Sequence, residues 1–200
     1  MAELSTNCTC PVEKQEKCLS STERIRASMF AEWYPKLAPL KCTYKSKIIP
    51  MGHKFVSEYL IKDGMHMPEL QDISGMSDGE QTEFRAEVAS IRSQIDDSLS
   101  SDFTGGCLVK TNWSSTVDAE FISQTLECTT ADEVFLQLKA SPKTSEDLFE
   151  PYDSNFACQT RLTSEDSFAW TLVLRKWHPN HNIGMEFQCF VSDGHLVAVA

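Results

Sequence analysis

The stretch Ala169 to Leu174 is almost wholly apolar, and so short a run without alternation reads as one continuous strand. Met185 to Val191 and Leu196 to Ala200 are strand-like too. Between them stands Asp193-Gly194, a pair suited to a type I′ hairpin because both central residues of that turn need positive φ. The C-terminal end is therefore expected to be antiparallel sheet. Upstream the periodicity changes. Phe84, Val88, Ile91 and Ile95 recur at steps of three and four, the mark of an amphipathic helix. Thr130-Ala131-Asp132-Glu133 is a capping box that starts another, with Val134, Phe135 and Leu138 on its apolar face. Strands gathered beside helices in this order predict an α+β architecture.

The remaining elements are shorter. Ser20-Ser21-Thr22-Glu23 is a second capping box, followed by Ile25, Met29, Phe30 and Trp33 at helical spacing, with Pro35 as the expected stop. The alternation of Leu40, Cys42 and Tyr44, leading to Ile48 and Ile49 before Pro50, predicts a strand. Phe55 to Leu60 reads as a helix ended by Gly64, and Gly105-Gly106 opens a strand over Cys107 to Lys110. Four divisions follow: a polar tail at 1–20, expected to be disordered; a body at 21–138 with an acidic loop at 63–80; a polar stretch at 139–168, read as a surface loop or insertion; and a strand-rich end at 169–200. A chain that stops on an apolar strand at Ala200 has no polar exit, so the natural protein is expected to continue.

A formal charge of −11, from 29 acidic against 18 basic residues, repels a phosphate backbone and argues against direct nucleic-acid binding. No segment has the length and apolarity of a membrane span, and no signal sequence is evident, so a cytoplasmic protein is expected. Of the 8 cysteines, Cys42, Cys107, Cys128 and Cys189 lie singly in apolar runs, as small buried hydrophobes do in a reducing compartment. Cys8, Cys10 and Cys18 lack metal-knuckle spacing, and no metal ligand is assigned.

Four segments carry a resemblance: Phe30-Ala31-Glu32-Trp33-Tyr34-Pro35; Lys110-Thr111-Asn112-Trp113-Ser114-Ser115 with Asp118-Ala119; Cys128-Thr129-Thr130; and Leu172-Val173-Leu174-Arg175-Lys176-Trp177 followed by Glu186-Phe187-Gln188-Cys189-Phe190-Val191. In this order and spacing, from about Phe30 to the last residue, the chain resembles the cell division cycle protein 123 family. The resemblance implies an incomplete ATP-grasp-like fold in which 21–138 is the N-terminal subdomain and 169–200 the hinge and start of the C-terminal one. It also implies an ATP- and Mg2+-binding chaperone that assembles eukaryotic translation initiation factor 2 through its gamma subunit and supports cell-cycle progression.

Residue by residue, the resemblance assigns the nucleotide to Lys110, Asn112, Trp113, Ser114 and Asp118, to the hinge Leu174, Arg175, Lys176 and Trp177, and to Glu186, which would hold the ribose hydroxyls. The side chains suit those roles. A lysine at a strand end can place its charge on a phosphate, Asn112, Ser114 and Ser115 can donate to phosphate oxygens, and Asp118 can orient Lys110 or open the next helical turn. The plainer alternative is a solvated lysine followed by ordinary turn residues, with Trp113 packed on the core. For the hinge and Glu186 it is a charged sheet edge facing water.

The sequence departs from the family at Val109, Thr111 and Gln188, the last in place of an arginine, and it ends before the family's magnesium ligands. No catalytic residue and little ATP turnover are therefore expected. Two other readings compete: an ATP-grasp ligase, for which no acceptor pocket is visible, and a truncated isoform that binds its partner without ATP. The partner-binding face is placed in Phe30 to Pro50, with Trp33, Tyr34 and Pro35 as anchors and Trp33 the more core-like of the first two.

Overall fold

A computed structural model of the chain describes residues 21–62, 64–149, 170–179, 189–192 and 195–199. The first helix of the sequence reading is two: α1 (Ser21–Ser28) and α2 (Phe30–Leu37), separated by Met29, whose backbone is extended at φ −66°, ψ 137°. Pro35 lies inside α2 and does not end it. The chain then makes a 3-10 turn at Ala38–Leu40, with Lys41 left-handed at φ 54°, and only afterwards enters β1 (Ser46–Met51). The strand expected over Leu40 to Tyr44 is thus displaced towards the C-terminus.

A short α3 (His53–Phe55) runs on as a π-helical turn over Val56–Leu60. The long helix α4 (Asp78–Ser101) begins at the capping box of Ser77 and Glu80. Then come β2 (Cys107–Lys110), α5 (Glu120–Ser123), α6 (Ala131–Ala140) and α7 (Pro142–Phe149). Thr130 caps α6 through Glu133 as its sequence demands. Helix α7 falls in the stretch expected to be a surface loop or insertion, and Pro142 is its first residue. Proline is at home at a helix N-terminus, where its missing N–H costs nothing. The chain closes with β3 (Trp170–Lys176), β4 (Cys189–Ser192) and β5 (His195–Val199).

The larger sheet has the order β1-β3-β2, with β3 antiparallel to both neighbours, and β4 pairs with β5 in a separate antiparallel ladder. The expected hairpin residues Asp193-Gly194 lie outside the described residues. Because β1 is an edge strand, Pro50 is accommodated opposite Thr171 without removing an interior ladder bond. Side chains alternate across the sheet. Ile49, Met51, Cys107, Val109, Leu172 and Leu174 turn one way, into a core completed by Phe84, Val88, Ile91 and Ile95 of α4 and Val134, Phe135 and Leu138 of α6. Leu108, Lys110, Val173 and Arg175 share the other face.

Cys107 and Cys128 are buried, as their sequence context suggested, and burial pushes the Cys107 thiol up to about 12. Cys42 and Cys189 are exposed, against that expectation, because the one lies beyond α2 in an irregular segment and the other in the outlying β4–β5 ladder. The expected acidic loop is held at Glu69, which takes the Nε of Arg92 at 2.6 Å. Among the described residues no helix is long and apolar enough to cross a membrane.

Gly106 sits just before β2 at φ +86°, where an added Cβ would lie 2.8 Å from Glu127 Cγ and 3.2 Å from the Cys128 carbonyl oxygen. Its own carbonyl accepts the Trp177 N–H at 3.0 Å. Gly106→Ala is therefore expected to destabilise the fold by about 1–2 kcal/mol or more, the cost of a left-handed backbone for an L-residue plus the clash. Urea denaturation of the two proteins at equal concentration measures it.

Candidate functional site

Strand β2 ends at Lys110, and the chain folds back at once through Thr111 to Ser115: Thr111 N–H donates to the Ser114 carbonyl at 2.9 Å, and Lys110 and Ser115 form an isolated bridge. This places the lysine at the head of a tight turn on the sheet face away from the main core. Its side chain is only 9% exposed. The ammonium donates to the Thr111 carbonyl at 3.2 Å and to the Trp113 carbonyl at 3.4 Å, and lies 5.1 Å from the centre of the Phe30 ring. Burial is the main reason its pKa is pushed down to about 8; the nearby Arg175 adds to the fall, and Asp147 opposes it.

The turn itself is fastened on both sides. On one side it receives α2. The Asn112 carbonyl accepts the Phe30 N–H at 3.0 Å and its side-chain oxygen accepts the Ala31 N–H at 3.3 Å, so Asn112 satisfies amides that the start of a helix leaves unpaired. Trp113 donates its indole N–H to Ser28 Oγ at 2.9 Å and packs with Met29 and Ile25. Phe30 in turn stacks on Tyr34 with ring centres 4.9 Å apart, and the Tyr34 hydroxyl accepts the Ser46 N–H at 2.6 Å. Trp33 meets the Phe30 ring edge-on at 4.6 Å. Trp33 and Tyr34, expected as partner anchors, are half-buried members of this internal aromatic cluster, while Leu40 is 69% exposed and Tyr44 43%.

On the other side stands Asp147 of α7, which the sequence reading did not single out. Its carboxylate takes the Trp113 N–H at 3.3 Å, the Ser114 N–H at 2.7 Å, the Ser114 hydroxyl at 2.7 Å and the Thr111 hydroxyl. The hydroxyl of Ser114, read as a phosphate donor, therefore serves an internal carboxylate, together with the Trp113 and Ser114 amides and the Thr111 hydroxyl. Asp118 likewise does not orient Lys110: it accepts the Ser141 hydroxyl at 2.5 Å and the Lys143 N–H at 3.0 Å, capping the start of α7. A sequence signal for α7 existed in Ser141-Pro142, a cap residue followed by a helix-starting proline.

The hinge residues divide by the pleat of β3. Arg175 lies opposite Leu108 on the Lys110 face, with its guanidinium 4.9 Å from the centre of the Tyr44 ring and 3.4 Å from Thr43 Oγ1. Leu174 points into the core and is fully buried, and its backbone lies between β1 and β2, opposite Lys47 and Val109. The Lys176 N–H donates to the Lys45 carbonyl at 2.8 Å and the Trp177 N–H to the Gly106 carbonyl at 3.0 Å. The structure thus brings Lys110, Asn112, Trp113 and Ser114 together at one end of the β2–β3 pair, with Arg175 on the same face but nearer the other end, opposite Leu108. Glu186 and Gln188 lie outside the described residues.

A family model described as D123 matches residues 33–200. The translation initiation factor eIF2 assembly protein of Schizosaccharomyces pombe is 32% identical over 180 residues, covering 84% of this chain and 54% of that protein. Its counterpart in Sclerotinia sclerotiorum is 33% identical over 174 residues, covering 78% of this chain and 42% of the relative. Cell division cycle protein 123 of Yarrowia lipolytica is 34% identical over 193 residues, with coverage of 88% and 48%. The chain spans about half the length of the curated relatives it matches. The solved structure of Cdc123 from Schizosaccharomyces pombe superposes with a TM-score of 0.68 at 26% identity, over 91% of this chain and 65% of that one. The α+β, ATP-grasp-like fold expected from the sequence is the fold of this chain.

The depressed pKa of Lys110 has a measurable sign. Between about pH 8 and the ordinary lysine value near ~10.4, the unfolded chain holds a proton that the folded one has lost, so stability contributed at this residue rises with pH across that window. Below it the desolvation cost is fully present. Wild type is expected to gain stability relative to Lys110→Met as pH is raised from 8 to 10; parallel denaturation curves across that interval would contradict the burial of a charged amine.

Proposed function

Since the chain belongs to the D123 family, we propose that it is an ATP-binding assembly chaperone that acts on translation initiation factor eIF2 through its gamma subunit, in the cytoplasm, and so serves translation initiation and cell division. The names of its relatives support the assembly role, since those proteins are called eIF2 assembly proteins and cell division cycle protein 123. The observation that carries the nucleotide part is electrostatic. Lys110 and Arg175 are two cations on one face of the β2–β3 pair, in a chain of formal charge −11, and Arg175 adds to the burial that disfavours the charge on Lys110. Such a pair is relieved by a polyanion.

The donor set fits a nucleotide in part. Lys110 and Arg175 would meet phosphate oxygens, Lys as a point charge and Arg as a planar fork. The backbone beside Trp177 and His178 would meet the base, and Glu186 the ribose. The turn donors of Trp113 and Ser114 are committed to Asp147 and take no phosphate in this reading. Bound there, ATP would supply the negative charge that offsets Lys110 and Arg175. Mg2+ would accompany its phosphates, and no residue of this chain is assigned to it.

The exposed apolar side chains of Leu37, Leu40 and Tyr44, at the end of α2 and before β1, replace the buried aromatics as the anchor for the partner. Two measurements test the reading. Equilibrium binding of ATP is expected for wild type and lost in Lys110→Ala. A pull-down with purified eIF2 gamma subunit is expected to succeed for wild type and to weaken at least about tenfold in Leu40→Asp, since a buried anchor typically contributes roughly 2 kcal/mol or more. Failure of wild type in both assays, with a folded circular dichroism spectrum, rejects the proposal.

A further inference from the structure

The Thr111–Ser114 turn is held between two opposite charges. Its amides at Trp113 and Ser114 and its hydroxyls at Thr111 and Ser114 converge on the Asp147 carboxylate, two of these contacts at 2.7 Å. Its carbonyls at Thr111 and Trp113 turn to the Lys110 ammonium. The Asn112 carbonyl goes to α2 and the Ser114 carbonyl to Thr111 N–H. Hydrogen bonds with an ionised partner are about twice as strong as neutral ones, and an N–H and a C=O of one peptide chain polarised from both sides reinforce each other. A turn with that many donors tied to its own chain is also poorly suited to receive phosphate directly.

Resting on the nucleotide reading above, we propose that Asp147 is a positioning residue of the site: by holding the turn, it sets the Thr111 and Trp113 carbonyls that aim the Lys110 ammonium at the phosphates. Two of the three ammonium donors are thereby placed, the Phe30 ring closes one flank, and the remaining donor is directed to the ligand. Asp118 acts one step further out, since it caps the helix that carries Asp147. Every element around the amine bears on this assignment. Strand β3 contributes Arg175, which disfavours the charge, and α7 contributes Asp147, which favours it. Helix α2 brings Phe30 and the Tyr34 hydroxyl, and β1 presents Ser46, Ile48 and Pro50 to that face without a charge.

The full chain is tested with ATP as the probe at pH 6.5 and 8.5, by calorimetry. Acetylation of Lys110 by acetic anhydride as a function of pH, read by peptide mass spectrometry without nucleotide, gives the midpoint of the amine. In Asp147→Asn the midpoint is expected to move to lower pH. ATP affinity should then fall more at pH 8.5 than at 6.5, approaching about tenfold for each unit the midpoint drops. Asp147→Glu restores the charge and is expected to restore the midpoint. The double variant Thr111→Val, Ser114→Ala withdraws donors at constant charge and is expected to weaken ATP at both pH values. An unmoved midpoint in Asp147→Asn, or ATP affinity that stays equal or rises, overturns the proposal. If Asp147→Asn does not fold, the double variant decides, and undiminished affinity there overturns it. Absence of ATP binding by wild type at both pH values, with a midpoint that does move in Asp147→Asn, rejects the nucleotide reading and leaves the link between Asp147 and Lys110 standing.

Discussion

Strand β3 is paired along both edges, so its only free surfaces are its two faces, and both have to be covered. Thr171, Leu172, Val173 and Leu174 are buried one after another. On one face the cover is ordinary: the apolar stripes of α4 and α6 supply it. On the other face the cover is α2 and the turn after β2, and this is where Lys110 and Arg175 emerge. A cation brought under a helix loses hydration, and the loss has to be offset locally. Two carbonyls and an aromatic ring do so at Lys110, and the ring of Tyr44 lies against the guanidinium at Arg175. Incomplete compensation leaves the lysine pKa depressed, chiefly by burial.

Much of the scaffold was legible because its signals are local. The capping boxes at Ser77 and Thr130 lie within four residues of the helices they start. The apolar run that became β3 spells out its own burial. What was not legible depends on partners far along the chain. Nothing near Asp147 says that its acceptors will meet Trp113 and Ser114, which precede it by 34 and 33 residues. Asp118 reads as part of the nucleotide motif because it follows Ser115 closely, yet its contacts are at Ser141 and Lys143. Pro35, the expected stop, lies inside α2, and Pro142 opens a helix in the stretch expected to be a loop.

The same comparison changes what the motif residues do. Asn112 and Trp113 are adjacent to Lys110 in sequence and share its turn, but their polar groups hold α1 and α2 in place. The motif is therefore a clasp for the N-terminal helices. An aromatic row, Trp33, Phe30 and Tyr34, extends that clasp as far as Ser46 at the start of β1. The residues that sequence alone offers as exposed anchors are thus the ones that join two parts of the fold.

The strand order β1-β3-β2 also dictates when the molecule can become itself. Strands β1 and β2 do not touch as neighbours; each finds its hydrogen bonds only on β3, which is the last of the three to be made. Ser46 pairs with Arg175 and Lys110 with Val173, so both ladders close large loops before they return any energy. During synthesis the helices α4 and α6 can form early from their own caps, but their apolar stripes have no complete sheet to rest on until Trp170 to Lys176 has left the ribosome. Folding of this kind is slow for its size, and the nascent chain carries exposed apolar surface throughout the wait. On this topology the chain passes through a vulnerable interval before its sheet is complete.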